Sequence, residues 1–596
     1  MKLHVTASIL ALLVGSGCSA SGDNNGVGNG EGSGNSGNGA TSSVGAQPNL
    51  GTGGNLALGG TPGTGAMGPV GEPLSCDEAA LAHTYVGCDF WPTIVANPVW
   101  IEFEPAVVMA NANDMPVTVT IDGPAGFHQE VTIAPKGLET VMLKWVDVLK
   151  GPEFSLANTS GNRLNESSRA DKGAYHMVST LPITAWQFNP LKYKLPAGGC
   201  DRIPAGAMGC RSASNDASLL IPSTAMTETY RVFGYSSKHE GTDWGTVPGG
   251  IAITATKDGT TVQVQLAPKC GVEIYPTTMI GTCVSAGTGV KAGMPGEVQT
   301  YTMNAGDVVQ LVGAWADYPQ IKNADLSGSL VQAAPGFPVQ VVAFNAISML
   351  PDGSIGNADH MEETVLPAEV IGDKYIVVPP TTPLGTSVGH VVRIYGNRDG
   401  TTLTYPEGKP PGAPDVINEG EVVQIPEVPV GATAQCLTVP GNCMVSMPFV
   451  VEGSEAFAVA SFMVGGPLQT NKPADYDSLG DPSFSMEVTP KQFRREYTFL
   501  APADYDLNFA DVLVPTGASV VLDGAPVTQT PTPIGAEWGS LRLKLDPAGG
   551  GVHTLTTENE KGLGLQVMGF GAATSYYYPG GLNLERITDP PVIVVK

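Results

Sequence analysis

The sequence predicts an all-β protein made of about four tandem β-sandwich-like modules. Turn-forming residues are abundant, with 76 Gly and 49 Pro among 596 residues, whereas Lys and Arg together number only 30. This composition suits short strands joined by turns and disfavours long helices. Strand-like segments also recur at long intervals, and the chain is long enough to bury several hydrophobic cores.

One recurring segment is an alternating strand that ends in phenylalanine. Its four copies end at Phe188, Phe344, Phe462 and Phe570. Alternation of side chains is typical of a strand with one buried face. Four copies predict four modules, which we place at residues 76–192, 193–348, 349–466 and 467–596.

A second recurring segment is a proline followed by a tyrosine that opens a strand. The two clear copies have the same gap of 8 residues, and a third copy is looser. The pairs are Pro222 with Tyr230, Pro367 with Tyr375, and Pro490 with Tyr497.

A third recurring segment places Asp-Gly between two apolar runs, at Asp258-Gly259 and Asp399-Gly400, and the first module has a copy around Asn113-Asp114. Because glycine adopts the positive φ that a tight turn needs, this pattern predicts β-hairpins. The number of strands per module favours sandwiches. A propeller-like ring is the alternative, although propeller blades are usually shorter.

The amino terminus predicts export and lipid attachment. Lys2 precedes an apolar run, Val5 to Val14, that is too short to span a bilayer. The segment that ends at Cys18 resembles the lipobox of bacterial lipoproteins, which implies a signal peptide at 1–17 and a lipid on Cys18. Ordinary cleavage, with Cys18 as a structural thiol, is the alternative.

Residues 18–75 are predicted to form a disordered linker because they are mostly Gly, Asn, Ser and Thr and cannot bury enough apolar surface. Ser19 after the lipidated cysteine fits delivery to the outer membrane. We therefore expect a lipid-anchored protein of the outer membrane, exposed at the cell surface. A periplasmic or secreted protein is the alternative.

The cysteine count supports both the lipid and an oxidising compartment. Nine cysteines would leave one thiol free unless Cys18 carries lipid. The other eight lie in close pairs without CxxC spacing, which favours disulfides over a metal site. The predicted pairs are Cys76 with Cys88, Cys200 with Cys210, Cys270 with Cys283, and Cys436 with Cys443.

Charge and motif content argue against several function classes. The formal net charge of −26 argues against a nucleic-acid partner. No Gly-x-Ser-x-Gly nucleophile motif joins a strand to a helix. We therefore predict no catalytic residue, no cofactor and no enzyme. A pair of carboxylates for glycoside hydrolysis stays possible among 56 acidic residues.

Two segments are candidates for a binding site. Asp359-His360-Met361-Glu362-Glu363 could bind a ligand or a divalent cation, or it could hold a module junction together by hydrogen bonds, which we favour. Tyr576-Tyr577-Tyr578 could form an aromatic binding surface for sugars. Because neighbouring residues of a strand face opposite sides, at least one of these tyrosines is expected in the core.

The recurring segments resemble the amino-terminal domain of the IgG Fc-binding protein family. The likeness is carried by the blocks at Pro222 and Tyr230, at Asp258 and at 303–309, and it continues through 325–331 and 359–363. It spans about residues 95 to 465 and implies an extracellular binding or matrix role, with no residue assigned to immunoglobulin contact.

From these observations we expect a non-enzymatic cell-surface lipoprotein with a binding or adhesion role. Its expected partners are the membrane, through Cys18, and an extracellular protein or glycan. An extracellular hydrolase acting on polysaccharide or protein and an envelope structural protein are the alternatives.

Overall fold

Strands form most of the regular structure in the computed structural model. It describes residues 72–593 except 154–163, 165, 197, 200–209, 237, 240–245, 275–278, 315–320, 323, 352–357, 427–442, 471–477 and 546–550. Residues 64–596 form one compact unit, which contains all of these residues. The predicted all-β fold is confirmed.

The strands divide among the four predicted modules. The first has β1 (Gly87–Phe90), β2 (Ala106–Ala110), β3 (Val117–Gly123), β4 (Phe127–Ile133), β5 (Leu138–Met142), β6 (Ser167–Ala170) and β7 (His176–Phe188). The second has β8 (Ala217–Leu219), β9 (Thr229–Arg231), β10 (Lys238–His239), β11 (Thr246–Val247), β12 (Gly249–Ala255), β13 (Thr260–Gln265), β14 (Glu273–Ile274), β15 (Met279–Ile280), β16 (Gly287–Thr288), β17 (Val298–Met303), β18 (Val308–Val312), β19 (Ile321–Lys322), β20 (Leu330–Ala333) and β21 (Val339–Ser348).

The third has β22 (Asp359–Thr364), β23 (Lys374–Val377), β24 (Val391–Gly396), β25 (Thr401–Thr404), β26 (Val416–Ile417), β27 (Val422–Ile425), β28 (Phe449–Gly453) and β29 (Phe457–Phe462). The fourth has β30 (Phe484–Met486), β31 (Glu496–Ala501), β32 (Leu507–Pro515), β33 (Val521–Leu522), β34 (Ala525–Pro526), β35 (Thr532–Ile534), β36 (Trp538–Leu545), β37 (Gly551–Thr556), β38 (Gly564–Gly571) and β39 (Thr574–Pro579).

Helices are few and short among the described residues. They are α1 (Cys76–Ala82), α2 (Asp147–Lys150) and α3 (Gly466–Thr470), with single 3-10 turns at Pro124–Gly126 and Pro490–Gln492. In this part of the chain, no helix has both the length and the apolar character needed to cross a membrane.

Each later module is a sandwich of two antiparallel sheets. The second module pairs β16-β6-β18-β12-β21-β22 with β17-β13-β20-β9, and the third pairs β23-β28-β25-β26 with β27-β24-β29-β30. The fourth pairs β31-β37-β33-β34 with β35-β36-β32-β38-β39. In the first module, the long strand β7 pairs with β1 and β3 through its first part and with β2 and β8 through its last part.

The predicted hairpins at the Asp-Gly turns are wrong. The flanking strands lie in opposite sheets of the sandwich, because β12 pairs with β18 and β21 whereas β13 pairs with β17 and β20. β24 and β25 are separated in the same way. Gly259 and Gly400 do adopt positive φ, at 75° and 67°. The turn geometry was therefore predicted correctly, but the chain crosses between sheets and does not pair with itself.

The tyrosines of the second recurring segment hold the two sheets together. Tyr230, Tyr375 and Tyr497 lie in the first strands of their sandwiches, β9, β23 and β31. Each buried hydroxyl donates to a carbonyl at the start of the phenylalanine strand in the opposite sheet. The acceptors are the carbonyls of Val339 at 2.6 Å, Phe457 at 2.8 Å and Leu563.

The four phenylalanine strands place one short strand each at the centre of the molecule. β7, β21, β29 and β38 pair with the following strand, which is β8, β22, β30 and β39 respectively. The register is the same each time: the phenylalanine lies opposite Ala217, Glu362, Phe484 or Ser575.

These four strands, which we call the central strands, contact one another in a closed cycle: β8 with β22, β22 with β30, β30 with β39, and β39 with β8. The sandwiches are therefore arranged in a ring, and each contributes an edge strand to its centre. One hydrophobic core runs through all four modules.

The chain ends close the ring. Tyr85 near the start exchanges hydrogen bonds with Thr498 in the fourth module, at 2.9 and 3.2 Å. After β39, the chain continues as a strap in which the amide of Leu584 donates to His83 at 2.7 Å and the amide of Ile587 donates to Glu369 at 2.9 Å. At its end, the Ile593 amide donates to the Gln332 side chain of the second module at 3.1 Å.

Arginines lie at the junctions between neighbouring modules. Each bonds to a carboxylate, hydroxyl or carbonyl of the neighbour. These contacts are Arg169 with Asp307 at 3.1 Å, Arg393 with Asp325, Arg542 with Thr381 at 2.7 Å, and Arg494 with Glu72 at 3.0 Å.

Candidate functional site

The predicted patch at 359–363 lies in β22, at the centre of the ring. Asp359, His360 and Glu362 are fully buried, and Glu363 is 1% exposed. The patch is therefore not a surface site. Among the described residues, no three His, Cys, Asp or Glu side chains are placed to hold a metal ion. The junction interpretation agrees with this position, although the segment is a strand and not a loop.

The carboxylates are at the centre because the central strands are edge strands. Each of them is hydrogen-bonded to its own sheet on one side only, so backbone groups on the other side need partners. Asp359 supplies them, because one oxygen accepts from the Asn215 amide at 2.7 Å and the other accepts from the Ser575 amide at 2.9 Å. It thereby joins β22 to the starts of β8 and β39.

Asp216 has the same function from the next module. It accepts hydrogen bonds from the Glu362 amide at 3.1 Å, the Ser483 hydroxyl at 2.7 Å and the Tyr577 amide at 3.3 Å. It thus connects all four central strands, counting its own contact with the Ala217 amide at 2.9 Å.

Sequence reasoning missed Asp216 and Asp481, which are both fully buried in this cluster. A usable signal was present: like Asp359, each lies six to nine residues before the proline that precedes the next sandwich, at Pro222, Pro367 or Pro490. We call Asp216, Asp359, Glu362, Glu363 and Asp481 the central carboxyl cluster.

The predicted aromatic surface at Tyr576, Tyr577 and Tyr578 is corrected by the structure. All three side chains are at most 1% exposed. They lie in β39, and a strand at the centre of a ring is covered on both faces, so alternation puts no residue on the surface. Tyr576 and Tyr578 donate hydrogen bonds to Asn508 at 2.8 Å and to the Leu500 carbonyl. Their role is in the core.

The predicted disulfides Cys76–Cys88 and Cys270–Cys283 are confirmed. Cys210 and Cys443 are disulfide-bonded as well. Their predicted partners, Cys200 and Cys436, lie outside the described residues, as does the predicted lipidation site Cys18.

An open cleft on the surface offers a place for a ligand. It has a volume of about 260 Å³ and lies between the end of the first module's chain and the loop that leads into β32. Its lining residues are Tyr193, Lys194, Leu195, Pro196 and Asp504. No motif in the sequence singled out these residues, since they come from segments more than 300 residues apart.

The chemistry of this cleft is mixed. Tyr193 is held in place by its hydroxyl, which donates to Asp506 at 2.9 Å, and burial together with that carboxylate raises the pKa of Tyr193 to about 12. Burial raises the pKa of Asp504, against the attraction of Lys192. With the exposed ammonium of Lys194, the cleft presents an aromatic wall, a cation and a carboxyl group, which suits a polar ligand.

Comparison with known proteins identifies the family. The family model for the IgGFc binding protein matches residues 216–569, which extend from Asp216 before β8 into β38. No curated protein matches the chain. Among solved structures, an anti-sigma factor domain-containing protein from Clostridium clariflavum is 10% identical over 56% of this chain and 83% of its own, with a TM-score of 0.11.

A tetra-tandem repeat from the extending region of a large adhesion protein is 9% identical over 83% of this chain and 99% of its own, with a TM-score of 0.08. Neither likeness supports an argument about fold or function. The family match covers more than half of the chain and includes the recurring segments of three sandwiches. The chain therefore belongs to the IgGFc binding protein family.

Proposed function

We propose that this protein is a non-enzymatic binding protein of the bacterial cell surface, anchored by lipid on Cys18, that binds an extracellular protein or glycan. The family match over 216–569 is the observation that carries the proposal. The predicted lipobox and linker at the amino terminus and the close cysteine pairs support an extracytoplasmic location.

The distribution of polar groups supports binding over hydrolysis. Hydrolysis by paired carboxylates needs side chains that reach a substrate and water. The central carboxyl cluster is instead enclosed by the four sandwiches, with no member above 1% exposed, and it contacts backbone amides of the ring. These acids serve the scaffold, and the loops and clefts of the outer surface are left for a ligand.

We take the cleft between Lys194 and Asp504 as the first contact point for a ligand. A binding site of this kind uses a few polar groups against an apolar wall, and here Tyr193 supplies the wall. An exposed Lys and a carboxyl group on opposite sides suit a partner surface that carries both charges, such as a protein or a charged glycan.

Binding is tested with the full-length lipoprotein in nanodiscs, probed with serum proteins, the Fc fragment of immunoglobulin G and a glycan array. We expect saturable binding to at least one probe, weakened by the double variant Lys194→Ala, Asp504→Asn. The matched control is Lys136→Ala, Asp114→Asn, which removes an exposed ion pair of 3.2 Å elsewhere in the first module. Absence of binding to every probe contradicts the binding role, and equal effects of the two variants contradict the cleft.

The anchor is tested separately. Mass spectrometry of the mature amino terminus should show diacylglyceryl cysteine at Cys18, and Cys18→Ala should release the protein from the membrane fraction. An unmodified amino terminus, or unchanged membrane association of Cys18→Ala, contradicts lipid attachment.

A further inference from the structure

The central carboxyl cluster holds five acids without a basic partner. Among the described residues, no Lys or Arg forms a salt bridge with any of the five. His360 is the nearest imidazole, with its Nε2 at 3.5 Å from Glu362. Several uncompensated negative charges in so buried a place are costly, so the cluster must either keep protons or satisfy its charges by hydrogen bonds.

Three of the acids are satisfied by hydrogen bonds. Asp216 accepts four, and Asp359 also accepts four, because the His360 amide and the Thr574 hydroxyl add to the amides of Asn215 and Ser575. Glu362 accepts from three side chains. Its donors are Gln187 at 3.2 Å, Ser218 at 3.4 Å and Asn189 at 3.0 Å. Donors at both oxygens stabilise the ionised form, so these three acids can carry charge.

The other two acids lack such partners. One oxygen of Asp481 has no hydrogen-bond partner, and the other is 3.4 Å from the Gly466 amide. Glu363 accepts from the Thr364 amide at 2.9 Å through one oxygen, while its second oxygen has no partner. These are the two sites at which an ionised carboxylate would be least stable.

The groups around them add repulsion and no positive charge. Asp216 and Asp359 come from the strands beside β22 and β30, and β39 contributes Tyr576, Tyr577 and Tyr578. The loop before β32 contributes Tyr505, whose ring packs against Tyr576 at 4.8 Å. Glu487 follows β30. His360 is the only side chain among these that could become positive, and it faces Glu362 and Asn189.

We propose that the centre of the ring is a proton-dependent latch, in which Asp481 and Glu363 hold the four central strands together while they are protonated and loosen them when they ionise. Burial raises the pKa of both side chains well above the ordinary range, and Asp216 adds to the effect on Glu363. A raised pKa in the folded state means that folding takes up protons. Stability is then complete below the pKa of the unfolded chain and falls as the pH rises towards the folded value.

The test uses the full-length chain and two neutral variants of similar shape, Asp481→Asn and Glu363→Gln. Guanidinium unfolding is followed from about pH 5 to about pH 9. We expect the midpoint of the wild type to fall as the pH rises. Each single variant should remove part of the fall, and the double variant should remove most of it. The control Asp114→Asn replaces a 91% exposed acid and should leave the profile unchanged.

A second measurement on the native protein does not depend on unfolding. Infrared spectroscopy near neutral pH should show the carbonyl band of protonated carboxyl groups, and the double variant should lose it. Absence of this band in the wild type overturns the proposal, and so does an unchanged pH profile in the double variant. Restoration of the wild-type midpoint at high pH by added Ca²⁺ or Mg²⁺ also overturns it, because a cation would then neutralise the cluster in place of protons.

Discussion

The junction between the second and third modules offers a sharp test of how the ring is held. The Arg393 guanidinium lies between Asp325, the Gly234 carbonyl and the Ser327 hydroxyl, and it covers the Tyr235 ring at 4.9 Å. Its side chain is 8% exposed and that of Asp325 is 12% exposed. Although burial opposes it, Arg393 holds the pKa of Asp325 below its usual value. The pair is therefore ionised and mostly shielded from water.

Arg393→Met leaves the charge of Asp325 buried with only the Ser327 amide and hydroxyl nearby. Removal of one partner from a buried pair costs about 3–5 kcal/mol. The double variant Arg393→Met, Asp325→Asn removes the stranded charge, so we expect it to be more stable than Arg393→Met by about 2 kcal/mol. Guanidinium unfolding followed by circular dichroism and tryptophan fluorescence measures both differences.

The matched control is Arg586→Met, which breaks an exposed pair with Asp589 at 3.2 Å, where the two side chains are 63% and 88% exposed. An exposed pair contributes about 1 kcal/mol or less. If Arg393→Met destabilises the protein no more than this control does, the junction is not held by the buried pair and the reasoning fails.

Glu487, the disulfide at Cys270 and the strap each have a measurable effect on stability. Burial raises the pKa of Glu487 to about 7, so the wild type should lose about 3 kcal/mol between pH 4.5 and 7 from this group, and Glu487→Gln should lack that loss in urea unfolding at the two pH values. Replacement of Cys270 and Cys283 by Ala, which opens a 13-residue loop, should cost about 3 kcal/mol in the chain-entropy model, and an unchanged denaturation midpoint would contradict it. Deletion of 585–596 removes the hydrogen bonds of the Ile587 and Ile593 amides and should speed limited proteolysis, whereas an equal cleavage rate would show that the strap does not hold the ring closed.

The sequence predicted local structure better than it predicted neighbours. The phenylalanine strands, the tyrosines that open sandwiches and the positive φ of Gly259 and Gly400 follow from residue type and alternation. The partner of a strand does not, because pairing depends on segments far away in the chain. For that reason the Asp-Gly turns were predicted as hairpins, although they connect opposite sheets.

The candidate site shows the same division. The segment 359–363 was singled out by its density of charge, and its place at a module junction was among the interpretations. Its enclosure by three other strands could not be read from spacing. Tyr576, Tyr577 and Tyr578 suggested a surface because rings favour interfaces, but their strand is covered on both faces. The cleft at Tyr193 and Asp504 brings together segments that carry no shared motif.

Native-state hydrogen exchange, read by mass spectrometry on peptides that contain β8, β22, β30 and β39, tests the ring most directly. If the four strands form one centre, their amides should exchange with a single slow rate, and Asp359→Ala should raise that rate in the peptides that contain Asn215 and Ser575, whose amides donate to Asp359. Four unrelated rates, each matching that of its own sandwich and unaffected by Asp359→Ala, would show that the modules stand side by side without a shared centre.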